Sequence, residues 1–370
     1  MMKKNIYITI VPDIVDEGGM ARNRAFFEFL KNRENIHILN LRYTNNFLRI
    51  FQTFYLSYLL LFFRKKNIFI HETVLVSLFP LKLFKCNFFV YFFARIIRSN
   101  DKNNHLFIEI NDLPFEQARD LGLKLHLGQK NFQKAIFNLE RAQYAFASNL
   151  MKEYAVEKYK IINRCEIIIN AGPELRTNKT KEVEAVKALI NEDKISYVYC
   201  GTLNKGRQIE KIMEIFSFLN KSSQLFLLGA EGEWIKSFET SKNIHYLGNF
   251  DENTAHSIVS LFNVGLVPYD NTKFYYNICY PTKISFYLTA GLPVVCTPLR
   301  ELQYWFSNKK YLIFEDIENW NNFFCNLDKR SIYEFGRNLN TIEYTWENIL
   351  EKSGINNFFH ESSDTFSNIQ

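Results

Sequence analysis

The sequence predicts an α/β protein built from two Rossmann-like, doubly wound parallel-sheet domains. Three observations predict it. Short apolar runs alternate with helical stretches of roughly 10–15 residues along nearly the whole chain, the pattern of parallel βαβ units. That succession occurs twice, on either side of a polar, breaker-containing stretch over 170–187. The chain has 370 residues, the length of two domains at roughly 100–200 residues each.

In the first half the strand-like runs are Ile6–Val11, Ile36–Leu41, Ile68–His71, Leu106–Ile110, Tyr144–Ala147 and Glu166–Ile169, with helical patterns such as Met20–Lys31 and Gln129–Gln143 between them. Ile6–Val11 is too short for a secretory h-region and no small-residue cleavage site follows, so it reads as a first buried strand. In the second half the runs are Ser196–Cys200, Gln224–Gly229, Ile244–Leu247, Val264–Pro268, Pro293–Cys296 and Tyr311–Phe314. Their helices include Arg207–Leu219, Asn253–Leu261 and Thr282–Thr289, and a last helix is expected over Lys329–Lys352. Gly172-Pro173 and the charged Arg176–Lys181 mark the junction. The expected organisation is an N-terminal domain over 1–172, a second domain over 173–335, a helix over 336–352 placed to pack back on the first domain, and a Ser/Asn-rich flexible tail over 353–370.

Composition narrows the function. Hydrophobic residues are 47% and charged residues 23%, which excludes wholesale disorder. Lys+Arg 45 against Asp+Glu 39 gives +6, enough for an anionic ligand or an anionic membrane but too thinly spread for a nucleic-acid binder. The 36 Phe and 20 Tyr fit either function or an AT-rich genome. No two of the six cysteines are close in sequence, so buried free thiols in a reducing compartment are expected rather than zinc or disulfides. Two aromatic stretches, 54–63 (FYLSYLLLFF) and 87–97 (NFFVYFFARII), are too short to cross a hydrocarbon core of about 30 Å. Each reads as a buried core helix, or as a helix lying in a membrane interface with Arg49 and Arg64-Lys65-Lys66 toward anionic headgroups.

In open parallel sheets, ligands sit beyond the carboxyl ends of the strands, so the strand-to-helix loops carry the candidates. After the first strand, Asp16-Glu17-Gly18-Gly19 opens a helix; two glycines permit a close ligand or simply make a tight turn, and no G-x-G-x-x-G is present. After Ser196–Cys200, the loop Gly201-Thr202-Leu203-Asn204-Lys205-Gly206-Arg207 offers glycines and cations suited to a phosphate, without a P-loop pattern. The third segment, 280–295 (YPTKISFYLTAGLPVV), is the most specific. Pro281 suits the first helical position, and Lys283 puts a cation in the first turn, against the macrodipole. Such a conflict suits an anion site, or else belongs to a solvated surface lysine. Arg300-Glu301 follows another strand. In the first half, Asn111-Asp112 ends the run from Leu106, and Glu109 and Asp112 could serve as acid/base groups, bind sugar hydroxyls or cap the next helix. There is no D-x-D, H-E-x-x-H, G-x-S-x-G or zinc-ligand cluster.

The third segment resembles the P-x-K…Y-x-x-x-G-x-P-V-V stretch of GT-B glycosyltransferases, the family-4-like group. "YCGTLNKGR", "LLGAEG", "HYLGNFDENT" and "VGLVPY" fall in that group's order, and "NAGPE" near 170–174 is similar to its interdomain segment. The subgroup it looks most like is the bacterial glucosyl- and galactofuranosyl-transferases. The likeness covers roughly 140–305. It implies two domains facing each other across a cleft, a nucleotide-sugar donor (UDP by family weight) on the second and a glycan or polyprenyl-linked acceptor on the first. By the same resemblance Arg207 and Lys283 match the pair on the donor diphosphate and act in catalysis with Asp112. Gly201, Thr202, Tyr280, Pro281, Thr282 and Glu301 complete the donor set, and Gly18, Gly19, Asn111 and Asp112 match the acceptor and sugar positions. Retention at the anomeric carbon, no metal or other cofactor and a role in cell-surface polysaccharide synthesis follow as family expectations; a cytoplasmic location, peripheral to the membrane through 47–97, is expected from the cysteines and from the aromatic and basic character of that segment; a homo-oligomer stays open. Two departures stand out: Phe286 and Ile278 occupy the positions of the group's two glutamates, and Asn111-Asp112 replaces a His-Asp. A nucleotide-sugar epimerase and a non-catalytic partner subunit are the rival readings.

Overall fold

A computed structural model describes residues 4–11, 18–79, 83, 85–124, 127–176, 180–204, 207–219, 221–237 and 241–360. Asp16, Glu17, Lys205, Gly206 and the segment 361–370 lie outside the described residues. The chain divides into two compact units, residues 1–169 with 350–370, and residues 170–349.

Each unit is a six-stranded parallel sheet with helices between its strands. In the first, β1 (Asn5–Thr9), β2 (Ile36–Asn40), β3 (Asn67–His71), β4 (His105–Ile110), β5 (Gln143–Phe146) and β6 (Cys165–Ile167) lie in the order β2-β1-β3-β4-β5-β6. In the second, β7 (Ile195–Cys200), β8 (Ser223–Leu228), β9 (Ile244–Gly248), β10 (Val264–Val267), β11 (Val294–Cys296) and β12 (Leu312–Phe314) lie in the order β12-β11-β10-β7-β8-β9. Each of the twelve apolar runs in the sequence corresponds to one strand. Both faces of these sheets are covered, so a strand such as β8 is buried along its whole length and reads as one apolar run.

The order reverses at β1/β3 in the first unit and at β7/β10 in the second. At such a switch point the crossovers leave on opposite faces, and a crevice opens beyond the strand ends. β7 and β10 pair at only two positions, Tyr197 with Val264 and Val198 with Gly265. Past that point the Tyr287 hydroxyl takes over: the Cys200 N–H donates to it at 2.7 Å, and it donates to the Leu266 carbonyl at 3.3 Å. Gly265 makes room, since a Cβ there would stand 2.5 Å from the Tyr287 ring. Tyr287 belongs to the helix Thr282–Thr289, which is thereby pinned over the parted strands.

The single helix expected over Lys329–Lys352 is in fact three pieces, Lys329–Gly336, a 3-10 turn over Thr341–Tyr344, and Trp346–Glu351. Asn340 breaks it: its side chain accepts from the Ile342 N–H and starts a new segment. Residues placed in the tail form a further helix, Ile355–His360, within the first unit. Phe358 packs on Phe107 at 5.1 Å between ring centroids, and Phe359 on Phe69 at 6.5 Å. The cysteines form no disulfide among the described residues, but Cys86 and Cys325 are exposed, so the expectation of buried thiols fails for those two.

Candidate functional site

In the second unit the switch point gathers charge. Lys283 stands in the first turn of the helix Thr282–Thr289, whose N-cap is Pro281, one position earlier than the sequence suggested. Pro281 gives no side-chain cap; the Ile284 N–H donates to the Pro281 carbonyl at 3.0 Å, which leaves the Thr282 and Lys283 N–H groups at the dipole's positive end. The Lys283 ammonium lies against the Cα of Gly201 just past β7: a Cβ there would meet Lys283 Cε at 2.5 Å, and Gly201 has φ +139°, a conformation that favours glycine. The ammonium is 5.2 Å from the Tyr199 ring of β7 and 5.7 Å from the Tyr269 ring beyond β10, with the Tyr269 hydroxyl at 3.4 Å. Arg207 lies in the same cluster, among the hydroxyls of Tyr199, Tyr269 and Tyr276 and close enough to act on Lys283 electrostatically.

No carboxylate pairs with Lys283 or Arg207 among the described residues. Burial works against the Lys283 charge, and the oxygens of Tyr199 and Tyr269 more than offset it, so the group titrates above the ordinary lysine value. Two half-buried cations in one cluster, with no carboxylate partner among the described residues and beside a helix N-terminus, have the chemistry to take a polyvalent anion.

The remaining donor-side candidates divide. Gly201 and Thr202 are at the cluster; the Thr202 carbonyl accepts from the Tyr199 hydroxyl at 3.3 Å, and Thr202 and Thr282 are both half-buried. Tyr280 is structural instead: its hydroxyl bonds Ser285 at 3.0 Å and its carbonyl accepts from Asn170 at 2.9 Å, leaving it 2% exposed. Glu301 is a correction. It has no exposed surface, its carboxylate accepts from the Trp305 indole at 2.7 Å, and it is not available to a ligand. Phe286, in the place of a glutamate in the resembled group, packs edge-on against His256 at 4.8 Å. Burial pushes the His256 pKa down to about 4, so that ring is neutral at pH 7.

In the first unit, Gly18 and Gly19 open the helix Gly18–Leu30. Beyond β4, the Asn111 amide donates to Asp112 at 2.9 Å, and both are half-buried. Asp112 does not cap the next helix, whose N-cap is Leu113. Glu109 points into the core, where it accepts from Arg22 Nε at 2.6 Å and from His71 Nδ1 at 2.8 Å. The Tyr7 hydroxyl, whose pKa burial raises, donates to His71 Nε2 at 2.7 Å. Burial alone would raise the Glu109 pKa; Arg22 and then His71 overcome it and hold it below the ordinary value. Glu109 is therefore an internal brace that ties the helix Gly18–Leu30 to the strand ends, with Arg22 also donating to the Ile168 carbonyl at 2.7 Å.

Glu72, which the sequence reading passed over, follows β3 at the first switch point. It is 2% exposed, and its Oε1 has no hydrogen-bond partner among the described residues. Burial first, then the charges of Asp112, Glu109 and Glu116, raise its pKa well above the carboxylate range. The signal available in the sequence was a lone acid directly after a strand.

Residues 207–348 match the family "Glucosyltransferase 3-like, C-terminal domain". No curated protein sequence matches the chain. Among solved structures, the chain is similar to sucrose-phosphate synthase from Thermosynechococcus elongatus (TM-score 0.65, 13% identity, 99% of this chain and 100% of that one). It is also similar to Anabaena HepE in complex with UDP and glucose (TM-score 0.60, 8% identity, 99% and 100%). A third similar structure is WaaG, a glycosyltransferase involved in lipopolysaccharide biosynthesis (TM-score 0.56, 10% identity, 98% and 100%). At these identities the structures speak for the fold, and the matched domain speaks for the activity class. The chain carries a glucosyltransferase 3-like C-terminal domain and is a glycosyltransferase of the GT-B fold.

Proposed function

We propose that the chain transfers a sugar from a nucleotide-sugar donor, UDP-linked by preference, to a glycan or polyprenyl-linked acceptor in the synthesis of a bacterial surface polysaccharide. The observation that carries the reading is the unpaired Lys283–Arg207 couple at the β7/β10 switch point. A nucleoside diphosphate leaving group gains negative charge as the glycosidic bond breaks, and donors already in place for that charge lower the barrier. Lys283, Arg207 and the first-turn N–H groups supply this without a metal ion in the proposed reaction. Gly201 and Thr202 line the approach, and Asp112 with Asn111 serves the acceptor or the sugar, together with Gly18 and Gly19. HepE with UDP and glucose lends support to a UDP-linked donor. Retention at the anomeric carbon is proposed with the family-4-like resemblance.

A thermal-shift panel of UDP, GDP, TDP and CMP tests it. A ligand at 100-fold its Kd stabilises by about 2.7 kcal/mol. One nucleoside diphosphate should shift the melting temperature and CMP should not. If none does, the reading falls and the non-catalytic partner subunit takes its place, with Phe286 in the glutamate position as its support.

A further inference from the structure

The first unit has a surface that the transfer reaction leaves unexplained. The two stretches noted as short aromatic runs are longer helices, Asn46–Phe62 and Asn87–Asn103, packed against each other. Each buries one face: Leu56, Leu59 and Leu60 on the first, Phe93, Ile96 and Ile97 on the second. The opposite faces are open, so the buried-core reading holds for one side only. On the first helix Phe47 (83% exposed), Phe51, Phe54 (71%), Tyr58 and Phe62 recur every three or four residues as one outward stripe. On the second, Phe88, Tyr91 and Phe92 are exposed at the start, and the same face continues through Arg95, Arg98 and Lys102. The stripe changes from aromatic to cationic along a single helix.

Charge decides what covers this face. Residues 41–100 contain nine Lys or Arg and one carboxylate, Glu72, which is buried. The segment carries +8 while the whole chain carries +6, so the other 310 residues together carry −2. Just past the end of the first helix, Arg64 and Lys65 are both exposed, followed by Lys66. An aromatic stripe bordered by cations, with no exposed acid, matches the boundary of an anionic bilayer: rings at the level of the acyl ends, cations at the headgroups. No helix among the described residues is long and apolar enough to cross a membrane. We infer that the paired helices 46–62 and 87–103 form a docking face for an anionic lipid surface, on which they lie flat. This goes beyond the transfer reaction and stands without it.

The test is co-sedimentation of the full chain with vesicles of phosphatidylcholine alone and with 30% phosphatidylglycerol, at low and high salt, beside light scattering of the protein alone. The protein should pellet with the anionic vesicles at low salt and release as salt rises. Each cation near the surface is worth about a fivefold change in partition, so R64E/K65E/K66E should weaken binding about a hundredfold or more. F51S/F54S, on the outward stripe, should weaken it about tenfold or more. Both variants should keep the wild-type melting temperature and nucleotide binding, which separates this inference from the donor site. A protein that stays in the supernatant with 30% phosphatidylglycerol at low salt overturns it. So does a dimer that F51S/F54S disperses with no vesicle binding, which would assign the face to a second copy.

Discussion

Replacing Lys283 by methionine tests the anion site most sharply, because it removes the charge and keeps the length of the stem. A single cation–phosphate contact at about 4 Å and an effective dielectric near 20 is worth about 4 kcal/mol before desolvation. Arg207 and the helix terminus remain in K283M, so the net loss should be that of one preorganised donor, about 2.7–4 kcal/mol, or 10²–10³ in kcat/KM. The apo protein should respond far less. Lys283 has no carboxylate partner among the described residues, but Tyr199 and Tyr269 favour its charge enough to raise its pKa despite burial and Arg207, so its removal breaks no ion pair and forfeits only that modest stabilisation. The melting temperature of apo K283M should fall slightly below that of the wild type. With UDP at 100-fold the wild-type Kd, the wild type should gain about 2.7 kcal/mol, or about 5–11 °C for a unit of this size. If Kd rises a hundredfold, the same UDP gives the variant about 0.4 kcal/mol, or roughly 1 °C. An unchanged UDP shift in K283M, or a large fall in apo stability, would refute the reasoning.

Gly201→Ala should abolish most of the UDP shift: its Cβ would push into Lys283 Cε and its φ of +139° is strained for alanine, so the ammonium must move. Tyr287→Phe strands the Cys200 N–H and the Leu266 carbonyl, and should lower unfolding free energy by about 1–3 kcal/mol in urea titrations; an unchanged midpoint would mean the hydroxyl does not hold the strands. Glu72→Gln should change stability in a pH-dependent way. Its folded pKa is raised, so the folded state keeps a proton that the unfolded state releases above the ordinary value of 4.5, and stability falls as pH rises from there toward the folded value. E72Q should therefore raise the melting temperature at pH 8 and leave it unchanged at pH 4; an equal difference at both would contradict the assignment.

The central strands were legible because both faces of each sheet are covered, which makes strands such as β1, β3, β8 and β10 mostly apolar and buried along their length, whereas β2, β6 and β9 are only half-buried. The order of those strands was not legible, since it depends on pairings far apart in the chain, and the switch points follow from that order. Lys283 and Arg207 stood out through their motifs. Their aromatic surroundings did not, because Tyr199 lies on β7 and Tyr269 just beyond β10, two strands that only the fold makes neighbours. Tyr269 was within reach of the sequence, directly after the run Val264–Pro268. Glu301 misled because an acid in a first helical turn looks the same whether it faces a ligand or, as here, the Trp305 indole. The stretch 54–63 shows only the second half of a helix that begins at Asn46, and the outward stripe appears only over its full length.

Nucleotide release on turnover tests the central claim most directly. Wild type, K283M and an Arg207→Met variant are incubated with UDP-, GDP- and TDP-sugars, with and without a polyprenyl-linked acceptor, and free nucleoside diphosphate is measured. The account predicts release from one nucleotide class by the wild type, stimulated by acceptor, and a fall of about 10²-fold or more in each variant. Release that persists at the wild-type rate in both variants would contradict it.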